Sequence, residues 1–501
     1  MNELSSLAMA VSTLATLTQS FSDADMEQPW AWGPHKEGVR FALIGTYHEL
    51  QELAVKLHAE RGANKTAVHH LLAQYNTAYQ DLQAILIGLP DDLYETQPAA
   101  GEWPVRIVLG HIADAQRSFF TLIHYALRCL RKNTKLPPTL PDGEVERVTG
   151  PRDKFYELIN KGSISDLRAD FAALHQRALH EFATITDDEL QNAQSLWWEG
   201  TPYNLYHRLI RCDAHLRQHT IQAEKTLAAL DHRPSEARQW LRLVYHALAD
   251  VEGACIGLPK LGQAVQVELA SAITARAQEA AYLVKGAHEV ITAVTDNDLP
   301  TLTQLLQNNP ALANARAQSG LSALMTSIYY GKHEAVQALR DAGATLNMHE
   351  AAAIGDLERA QELAGRWNGY INQVARDGFT PLQLACFFNC EALALWLMEQ
   401  GADIHAVAQN PQRIQPLHAV VTNGNLTIAQ ALLDRGADVN ARQANDFTPL
   451  HTAADNGDEA LAQLLLAHGA DRAAADGNGR TPYDLAQAKG HAAILPLLAI
   501  P

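Results

Sequence analysis

Two histidines near the middle of the chain have the spacing of a metal-chelating pair. His215 and His219 are four residues apart in the segment RCDAHLRQHTIQAEK, whose residues favour a helix. Positions i and i+4 of a helix lie on one face about one turn apart, so both imidazoles can reach one ion. A site between packed helices then needs a ligand from a facing helix. His111, in GEWPVRIVLGHIADAQRSF, is the candidate for that third ligand.

Spacing alone does not distinguish a metal site from ordinary histidines, because the chain has 22 of them. A third histidine on a facing helix would complete such a site, with His111, His215 and His219 as the candidate ligands. The other histidines that we considered are interpreted as structural or exposed. They are His69, His70, His175, His180, His207 and His246.

The elements that must position these side chains are amphipathic helices. Apolar residues recur at helical spacing, as in TAVHHLLAQYNTAYQDLQAILIGL, and proline at the first turn marks two of the helix starts, Pro104 and Pro202. Four such segments predict an antiparallel bundle. One more helix precedes it, and about two follow between Pro234 and Gly286. The four segments cover residues 66–89, 104–127, 165–183 and 201–230.

The C-terminal part of the chain repeats. Prolines in words such as GFTPLQLA and DFTPLHTA recur every 33 to 35 residues, at Pro381, Pro416, Pro449 and Pro482. Thr before Pro can cap a helix that begins at the proline, and the Gly of each GAD word can end one in the left-handed conformation. Such helix pairs cannot bury their apolar faces alone and must stack. Period and words resemble the ankyrin repeat.

Weaker copies extend the array towards the N-terminus. One begins at Gly320, with Ala323 in the proline position, and another at Asn347 after a shortened turn. A capping copy begins at Val294. We therefore expect about seven units over residues 286–501.

The words around the three histidines resemble those of a known family. A Gly-Glu-Trp entry, then LGHIADA, and later HLRQHTIQ are similar to the DinB-like, or YfiT-like, superfamily of metal-binding four-helix bundles, over roughly residues 65–230. The resemblance implies that His111, His215 and His219 bind a divalent metal. Asp114 or Gln222 could orient a ligand imidazole or be merely solvated. The family often has a carboxylate a turn or so beyond the first histidine. Gln116 occupies part of that stretch here, so the carboxylate's role stays open.

Three neutral nitrogen ligands leave a metal with open positions, as in catalytic zinc sites. Imidazole suits Zn, Ni and Fe, so the identity of the divalent ion stays open. Such an ion can acidify a water or a small thiol, and the resemblance favours thiol S-transfer slightly over hydrolysis. Cys212 could approach the site or be a small buried apolar residue. The catalytic residue is unknown.

Aromatic residues of the segment LWWEGTPY precede the fourth helix. Trp197, Trp198 and Tyr203 either line the mouth of the metal pocket or seal the end of the bundle. We prefer the second interpretation.

The bulk composition restricts location and partners. A net charge of −17 argues against nucleic acid and anionic membranes as partners. Five scattered cysteines without a CxxC motif indicate reduced thiols in the cytoplasm. The first residues carry Glu3 but no Lys or Arg, unlike a secretory signal. No apolar run reaches the roughly 18 residues that a membrane span needs.

A chain of 501 residues is too long for one core, so several domains are expected. We predict an all-α protein, an up-and-down four-helix bundle with extra helices followed by an ankyrin-type α-solenoid. The expected parts are an N-terminal arm, loosely helical or disordered (1–35), the metal-binding bundle (36–232), a helical connector (233–285) and the repeats (286–501).

Two functions fit this organisation. The first is a divalent-metal-dependent enzyme of thiol-transferase or hydrolase type, acting on a small thiol or other small molecule, whose repeats bind a protein. The second is a non-enzymatic stress or interaction protein, whose bundle binds a metal or ligand while the repeats recruit a partner. The array is acidic, which slightly favours a basic partner. A homodimer is an expectation by analogy with the family alone.

Overall fold

The computed structural model describes residues 5–32, 34–63, 65–137, 139–192, 194–195 and 203–500. Over these residues the fold is all-α, as predicted, with one antiparallel pair of two-residue strands, β1 (Gln194–Ser195) and β2 (Tyr203–Asn204). The chain divides into two compact units, Met1–Val284 and Lys285–Pro501. Among the helices of the described ranges, none combines the length and the apolar character that a bilayer span requires.

The first unit is built from helices of very different length. In chain order they are α1 (Ser6–Thr18), α2 (Asp23–Met26), α3 (Phe41–Arg61), α4 (Ala67–Ile85), α5 (Asp91–Glu95), α6 (Val105–Arg131), α7 (Glu144–Thr149), α8 (Arg152–Lys161), α9 (Ile164–Phe182), α10 (Asp187–Asn192), α11 (Leu205–Ala229), α12 (Glu236–Cys255) and α13 (Gln263–Thr295). The boundary between the two units falls within α13.

The helices α4, α6, α9 and α11 form a four-helix bundle. Both α4 and α6 neighbour α9 and α11, so α4 and α6 lie diagonally although they follow one another in the chain. Consecutive helices of a simple up-and-down bundle are side by side. This bundle differs in that respect, because the long connection through α5 lets the chain cross to the opposite corner. The core is apolar, with fully buried side chains such as Leu72, Ile112, Ile123 and Leu216.

Local signals explain where the bundle helices begin. The side chain of Ser163 accepts a hydrogen bond from the backbone N–H of Asp166 at the start of α9. The side chain of Asn204 does the same for the N–H of His207 at the start of α11. Both contacts satisfy amides that a helix start leaves unpaired. Pro202, the start signal expected from the sequence, lies outside the described residues.

Residues outside the four-helix bundle contribute to the same unit. Helix α12 packs along α3 and α4, and α1 packs against α12. Leu7, Val11 and Leu14 of α1 are fully buried, so the expected loose or disordered arm is a packed helix from Ser6. The residues expected to be a connector likewise supply α12 to the core. The apolar face of α12 is thus buried against α3 and α4, and that of α1 against α12.

The second unit is a stack of helix pairs. It includes the last part of α13 and then α14 (Leu299–Asn308), and short 3-10 helices lie at Pro310–Asn314, Asn368–Asn372 and Ala444–Asp446. The pairs are α15 (Ala323–Tyr329) with α16 (His333–Asp341), α17 (Met348–Ile354) with α18 (Leu357–Arg366), α19 (Pro381–Phe387) with α20 (Glu391–Glu399), α21 (Pro416–Asn423) with α22 (Leu426–Asp434), α23 (Pro449–Asn456) with α24 (Glu459–Ala467), and α25 (Pro482–Lys489) with α26 (Leu495–Leu498).

The repeated sequence motifs start and end helices as predicted. Pro381, Pro416, Pro449 and Pro482 each begin the first helix of a pair. The preceding threonines Thr380, Thr448 and Thr481 accept a hydrogen bond from a backbone N–H of the first turn. The glycines of the GAD words have φ angles of 86° at Gly401, 91° at Gly436 and 89° at Gly469, in the left-handed region that favours glycine. The sequence therefore gives the helix boundaries of the array directly.

Candidate metal centre

Two neighbouring helices, α6 and α11, position the three histidines. His111 lies in the second turn of α6, and His215 and His219 lie one turn apart in the middle of α11. The two helices pack side by side. Gly110 allows α8 to approach α6 closely, because a Cβ atom there would lie 2.6 Å from Cγ2 of Ile159. Packing of the bundle thus fixes the positions from which the histidines extend.

The three imidazole rings converge. One ring nitrogen from each of His111, His215 and His219 lies within 4.8 Å of the other two. The ring centroids are 5.2 Å apart for His111 and His215, and 4.5 Å apart for each of the other two pairs. The structure therefore brings together all three residues that the sequence singled out, and it places His111 on the same side as the other two.

The cluster is open on one side. His215 and His219 are 7% exposed, whereas His111 is solvent-exposed. The ring of Phe119 meets His215 edge to face at 5.6 Å, and the ring of Trp103 meets His111 in the same way at 5.4 Å. Two imidazoles thus lie in an apolar environment, and the third faces water.

The pKa values of two of the imidazoles, those of His215 and His111, are lowered. Burial is the main cause for His215. It lowers the pKa of His215 to about 3, with smaller contributions from the neighbouring histidines His219 and His111. Partial desolvation among the neighbouring side chains also lowers the pKa of His111, although its ring is exposed on one side, with a further decrease from His219 and an opposing effect of Asp114. Neutral imidazole is the form that ligates metals. The site therefore offers free nitrogen lone pairs at neutral pH.

The ring of His219 is oriented by a hydrogen bond, whereas one ring nitrogen of His215 has no hydrogen-bond partner among the described residues. Nδ1 of His219 lies 2.7 Å from Oε1 of Gln222 on the next turn of α11. That oxygen only accepts, so Nδ1 carries the proton and the lone pair is on Nε2. Nδ1 of His215 is buried and has no hydrogen-bond partner among the described residues.

These observations satisfy what a divalent cation requires. Metal–nitrogen bonds of about 2.0–2.1 Å in a tetrahedral site place ligand nitrogens about 3.4 Å apart. The observed limit of 4.8 Å exceeds that separation by about 1.4 Å. The donor set of three imidazoles, one of them with an orphaned buried nitrogen, fits Zn, Ni or Fe. No carboxylate or thiol of the described residues joins this cluster.

Two other side chains named from the sequence do not join the cluster. Asp114 affects His111 electrostatically, and no hydrogen bond links the two. Gln116 is buried, accepts a hydrogen bond from the Tyr75 hydroxyl at 2.9 Å and donates to the Cys212 carbonyl at 3.4 Å. Gln116 therefore links three bundle helices and does not replace a catalytic carboxylate.

Cys212 is a buried thiol. Burial raises its pKa to about 12, so it stays protonated and is a poor nucleophile. Of the aromatic residues before α11, Trp197 and Trp198 lie outside the described residues. Tyr203 stacks on His207, with ring centroids 4.3 Å apart.

The remaining histidines include several with structural partners. His69 reaches back to the Thr66 hydroxyl at 2.9 Å, His246 contacts Asp81 at 2.7 Å, and His175 donates to Asn76 at 2.9 Å. These contacts agree with the structural interpretation.

Trp103 is a residue near the site whose position we did not predict. It stands in the Gly-Glu-Trp word two residues before α6, its carbonyl accepts a hydrogen bond from Thr226 of α11, and its ring covers His111. A large aromatic residue immediately before a helix that carries a ligand is the signal that could have identified it.

Comparisons with known proteins match the N-terminal and the C-terminal part of the chain to two different families. A family model described as the DinB superfamily matches residues 74–223, a span that includes all three histidines. A model described as ankyrin repeats in three copies matches residues 290–408, 348–443 and 417–500.

Two curated proteins are similar to short parts of this chain. The B-cell lymphoma 3 protein homolog of Mus musculus is 42% identical over 66 residues, which is 13% of this chain and 14% of that protein. The ankyrin repeat and SAM domain-containing protein 6 of Rattus norvegicus is 31% identical over 102 residues, 20% of this chain and 11% of that protein. The chain thus spans less than a sixth of either relative.

Proposed function

We propose that this chain, which joins a DinB superfamily domain to an array of ankyrin repeats, is a divalent-metal-dependent enzyme whose repeats recruit a protein partner. The observation that carries the proposal is the convergence of His111, His215 and His219, with ring nitrogens within 4.8 Å of one another. The family resemblance makes thiol S-transfer the first candidate reaction and hydrolysis the second.

A cation held by three imidazoles supplies Lewis-acid chemistry at its open positions and lowers the pKa of a water or a small thiol. Zn, Ni and Fe are the candidates. The side chains of the chain prepare the site. Gln222 fixes the ring and tautomer of His219, and Phe119 limits water on the buried side of His215. Exposed His111 leaves one side accessible to a small substrate.

The second candidate is a non-enzymatic metal- or ligand-binding protein, and one observation favours it. Within the described residues the cluster contains histidines and no carboxylate, so general-base catalysis by the protein has no candidate at the site. Asp114 is the nearest acidic residue along α6, yet no hydrogen bond joins it to His111. Metal binding without turnover would fit this arrangement.

The repeats support a protein-binding role, since stacked helix pairs present an extended surface. Five cysteines that are free in the structure support a reducing compartment, and we place the protein in the cytoplasm on that basis. A homodimer stays a prediction.

The test uses the full-length protein. Apo protein is loaded with Zn, Ni or Fe and assayed against small thiols with electrophiles, and against activated esters. We expect metal-dependent turnover that His215→Ala abolishes. His180→Ala is the matched control, because His180 is an exposed histidine on α9, and it should retain full activity. Stoichiometric metal uptake without turnover on either panel would favour the second candidate. Turnover that survives His215→Ala would contradict the enzyme proposal.

A further inference from the structure

The ankyrin array contains an apolar recess. Its volume is about 410 Å³, within the range of about 300–1,000 Å³ that is usual for ligand sites. Residues of α15, α19 and α21, the first helices of their pairs, line the recess. The loops that precede α19, α21 and α23 contribute the remaining lining residues. Its apolar lining includes Tyr329, Phe379, Leu384, Phe387, Ile414 and Ala419, with Ala444 at the rim.

The repeat that begins at Asn347, after a shortened turn, helps to shape this recess. Helix α17, between α15 and α19, carries the small residues Ala351–Ala353. Tyr329 lies at the end of α15. Its hydroxyl donates a hydrogen bond at 2.8 Å to Asp377, which lies beyond α17 and α18 in the loop before α19. Its ring lies 5.6 Å from that of Phe388. Tyr329 thereby forms one wall of a recess whose other walls come from repeats further along the chain.

The lining carries no charge. No Asp, Glu, Lys or Arg of the described residues lines the recess. His418 is neutral, because burial lowers its pKa to about 4, and its Nε2 donates to the Ala441 carbonyl at 3.0 Å. A charged group entering this recess would lose its hydration without gaining an ionic partner. The recess therefore selects an uncharged group.

Two side-chain amides at the recess are available for hydrogen bonds. Gln412 and Gln443 lie on adjacent loops, which are joined by a hydrogen bond from the Ala444 N–H to the Gln412 carbonyl at 2.9 Å. Neither side-chain amide has a hydrogen-bond partner among the described residues. A side-chain amide offers both a donor and an acceptor, which match the C=O and N–H groups of a polypeptide backbone.

Charge outside the recess adds a second requirement. Residues 285–501 contain 22 Asp and Glu against 13 Lys and Arg. The array as a whole therefore favours a partner segment of net positive charge.

We propose that this recess binds an extended segment of a partner protein, which inserts one large uncharged side chain and carries a net positive charge. Gln412 and Gln443 pair with its backbone. This inference rests on the proposed role of the repeats in binding a partner, and it identifies the surface and the chemistry of that partner.

The test is a selection from a random dodecapeptide phage library on the full-length protein, followed by anisotropy titration of the enriched peptides. We expect the enriched peptides to share one large apolar residue and to carry a net positive charge from Lys or Arg. Ala444→Glu places a charge at an exposed position on the rim and should weaken binding at least tenfold. Ala467→Glu, exposed on the outer helix α24, is the matched control and should not change the affinity. The double variant Gln412→Ala, Gln443→Ala should also bind more weakly, and thermal unfolding checks that each variant folds.

The outcomes separate the recess from the wider role of the array. Peptides that bind the Ala444→Glu protein as tightly as the wild type overturn the recess while leaving partner binding by another face. Enrichment of peptides with a net negative charge, or of peptides without an apolar anchor, also overturns it. A selection that yields no specific peptide contradicts both the recess and the proposed partner role.

Discussion

Nδ1 of His219 lies 2.7 Å from Oε1 of Gln222, one turn further along α11. Because the amide oxygen accepts a hydrogen bond, the ring proton stays on Nδ1 and the free lone pair is on Nε2. A single residue on the same helix thus sets both the orientation and the tautomer of a candidate ligand. Ligand imidazoles are commonly held by partners of this kind.

Replacement of Gln222 by leucine should weaken metal binding by about 10- to 100-fold, the usual effect of losing such a partner. Gln222→Glu keeps an acceptor at the same place and should restore most of the affinity. The measurement is a titration of apo protein with Zn by calorimetry. Gln218→Leu, at an exposed position on the same helix, is the control. Equal affinity for Gln222→Leu and the wild type would show that Gln222 does not orient His219.

Gly110 tests the packing that positions His111. An added Cβ would lie 2.6 Å from Cγ2 of Ile159, closer than packed atoms tolerate, and β-branched isoleucine cannot easily turn away. Gly110→Ala should lower the free energy of unfolding by about 1–3 kcal/mol, as overpacking does. Combination with Ile159→Ala should cost less than the sum of the single changes.

Gly365→Ala provides the comparison for that substitution. Gly365 also lies in a helix, α18, and a Cβ there would meet no atom within 4 Å. Alanine should stabilise this helix by up to about 1 kcal/mol through its higher helix propensity. Thermal and urea unfolding of the full-length variants measure both effects. A neutral or stabilising Gly110→Ala would mean that α8 does not press on α6 at this point.

The fold was largely predictable because its signals are local. Pro449 and the preceding Thr448 start a helix wherever they occur, so the repeat words determine the boundaries of the array. His215 and His219 were predictable for the same reason, since spacing within one helix determines their common face. His111 needed more than spacing. Only the resemblance of the surrounding residues to the DinB-like superfamily indicated that α6 neighbours α11.

Long-range packing accounts for what the sequence did not reveal. The burial of Leu7 and Leu14 depends on α12, which is more than 200 residues away in the sequence. A short amphipathic segment does not indicate which helix it will pack against. The diagonal placement of α4 and α6 depends on how the α5 connection crosses the bundle. Gln222 and Asp114 were equal candidates for orienting a ligand, because rotamers decide which of them reaches a ring.

Cys212 should be chemically inert in the folded protein. Its thiol is buried, and burial raises its pKa to about 12, so the reactive thiolate is absent at neutral pH. We expect a chromogenic disulfide reagent to label Cys212 only after denaturation, and Cys212→Ala to retain metal binding. Peptide mapping of the labelled protein identifies the modified residue. Rapid labelling of native Cys212 at pH 7 would contradict its assignment as a core residue.

His175 should make stability dependent on pH. It is fully buried, stacks on Tyr79 with ring centroids 3.8 Å apart, and burial lowers its pKa to about 3. In the unfolded chain the pKa is about 6.5. Below pH 6.5 only the unfolded state binds the proton, so stability is complete above that pH and falls towards pH 3. The loss is about 1.4 kcal/mol per pH unit, or about 2 kcal/mol at pH 5.

Urea unfolding at pH 7.5, 6.0 and 5.0 checks this dependence. Other buried histidines, such as His418, act in the same direction, so the slopes of variants are compared with that of the wild type. His175→Gln should make the decrease below pH 6.5 shallower by about 1.4 kcal/mol per unit. His180→Gln, at an exposed position, should leave it unchanged. An unaltered slope for His175→Gln would show that His175 is charged in the folded state or already neutral in the unfolded one.

Metal content of the purified full-length protein tests the central claim most directly. Elemental analysis after reconstitution and desalting should give about one divalent ion per chain for the wild type and for His180→Ala. It should give a large loss for each of His111→Ala, His215→Ala and His219→Ala, with circular dichroism unchanged. Retention of a full equivalent by all three variants, or absence of stoichiometric metal from the wild type, would contradict a metal centre between α6 and α11.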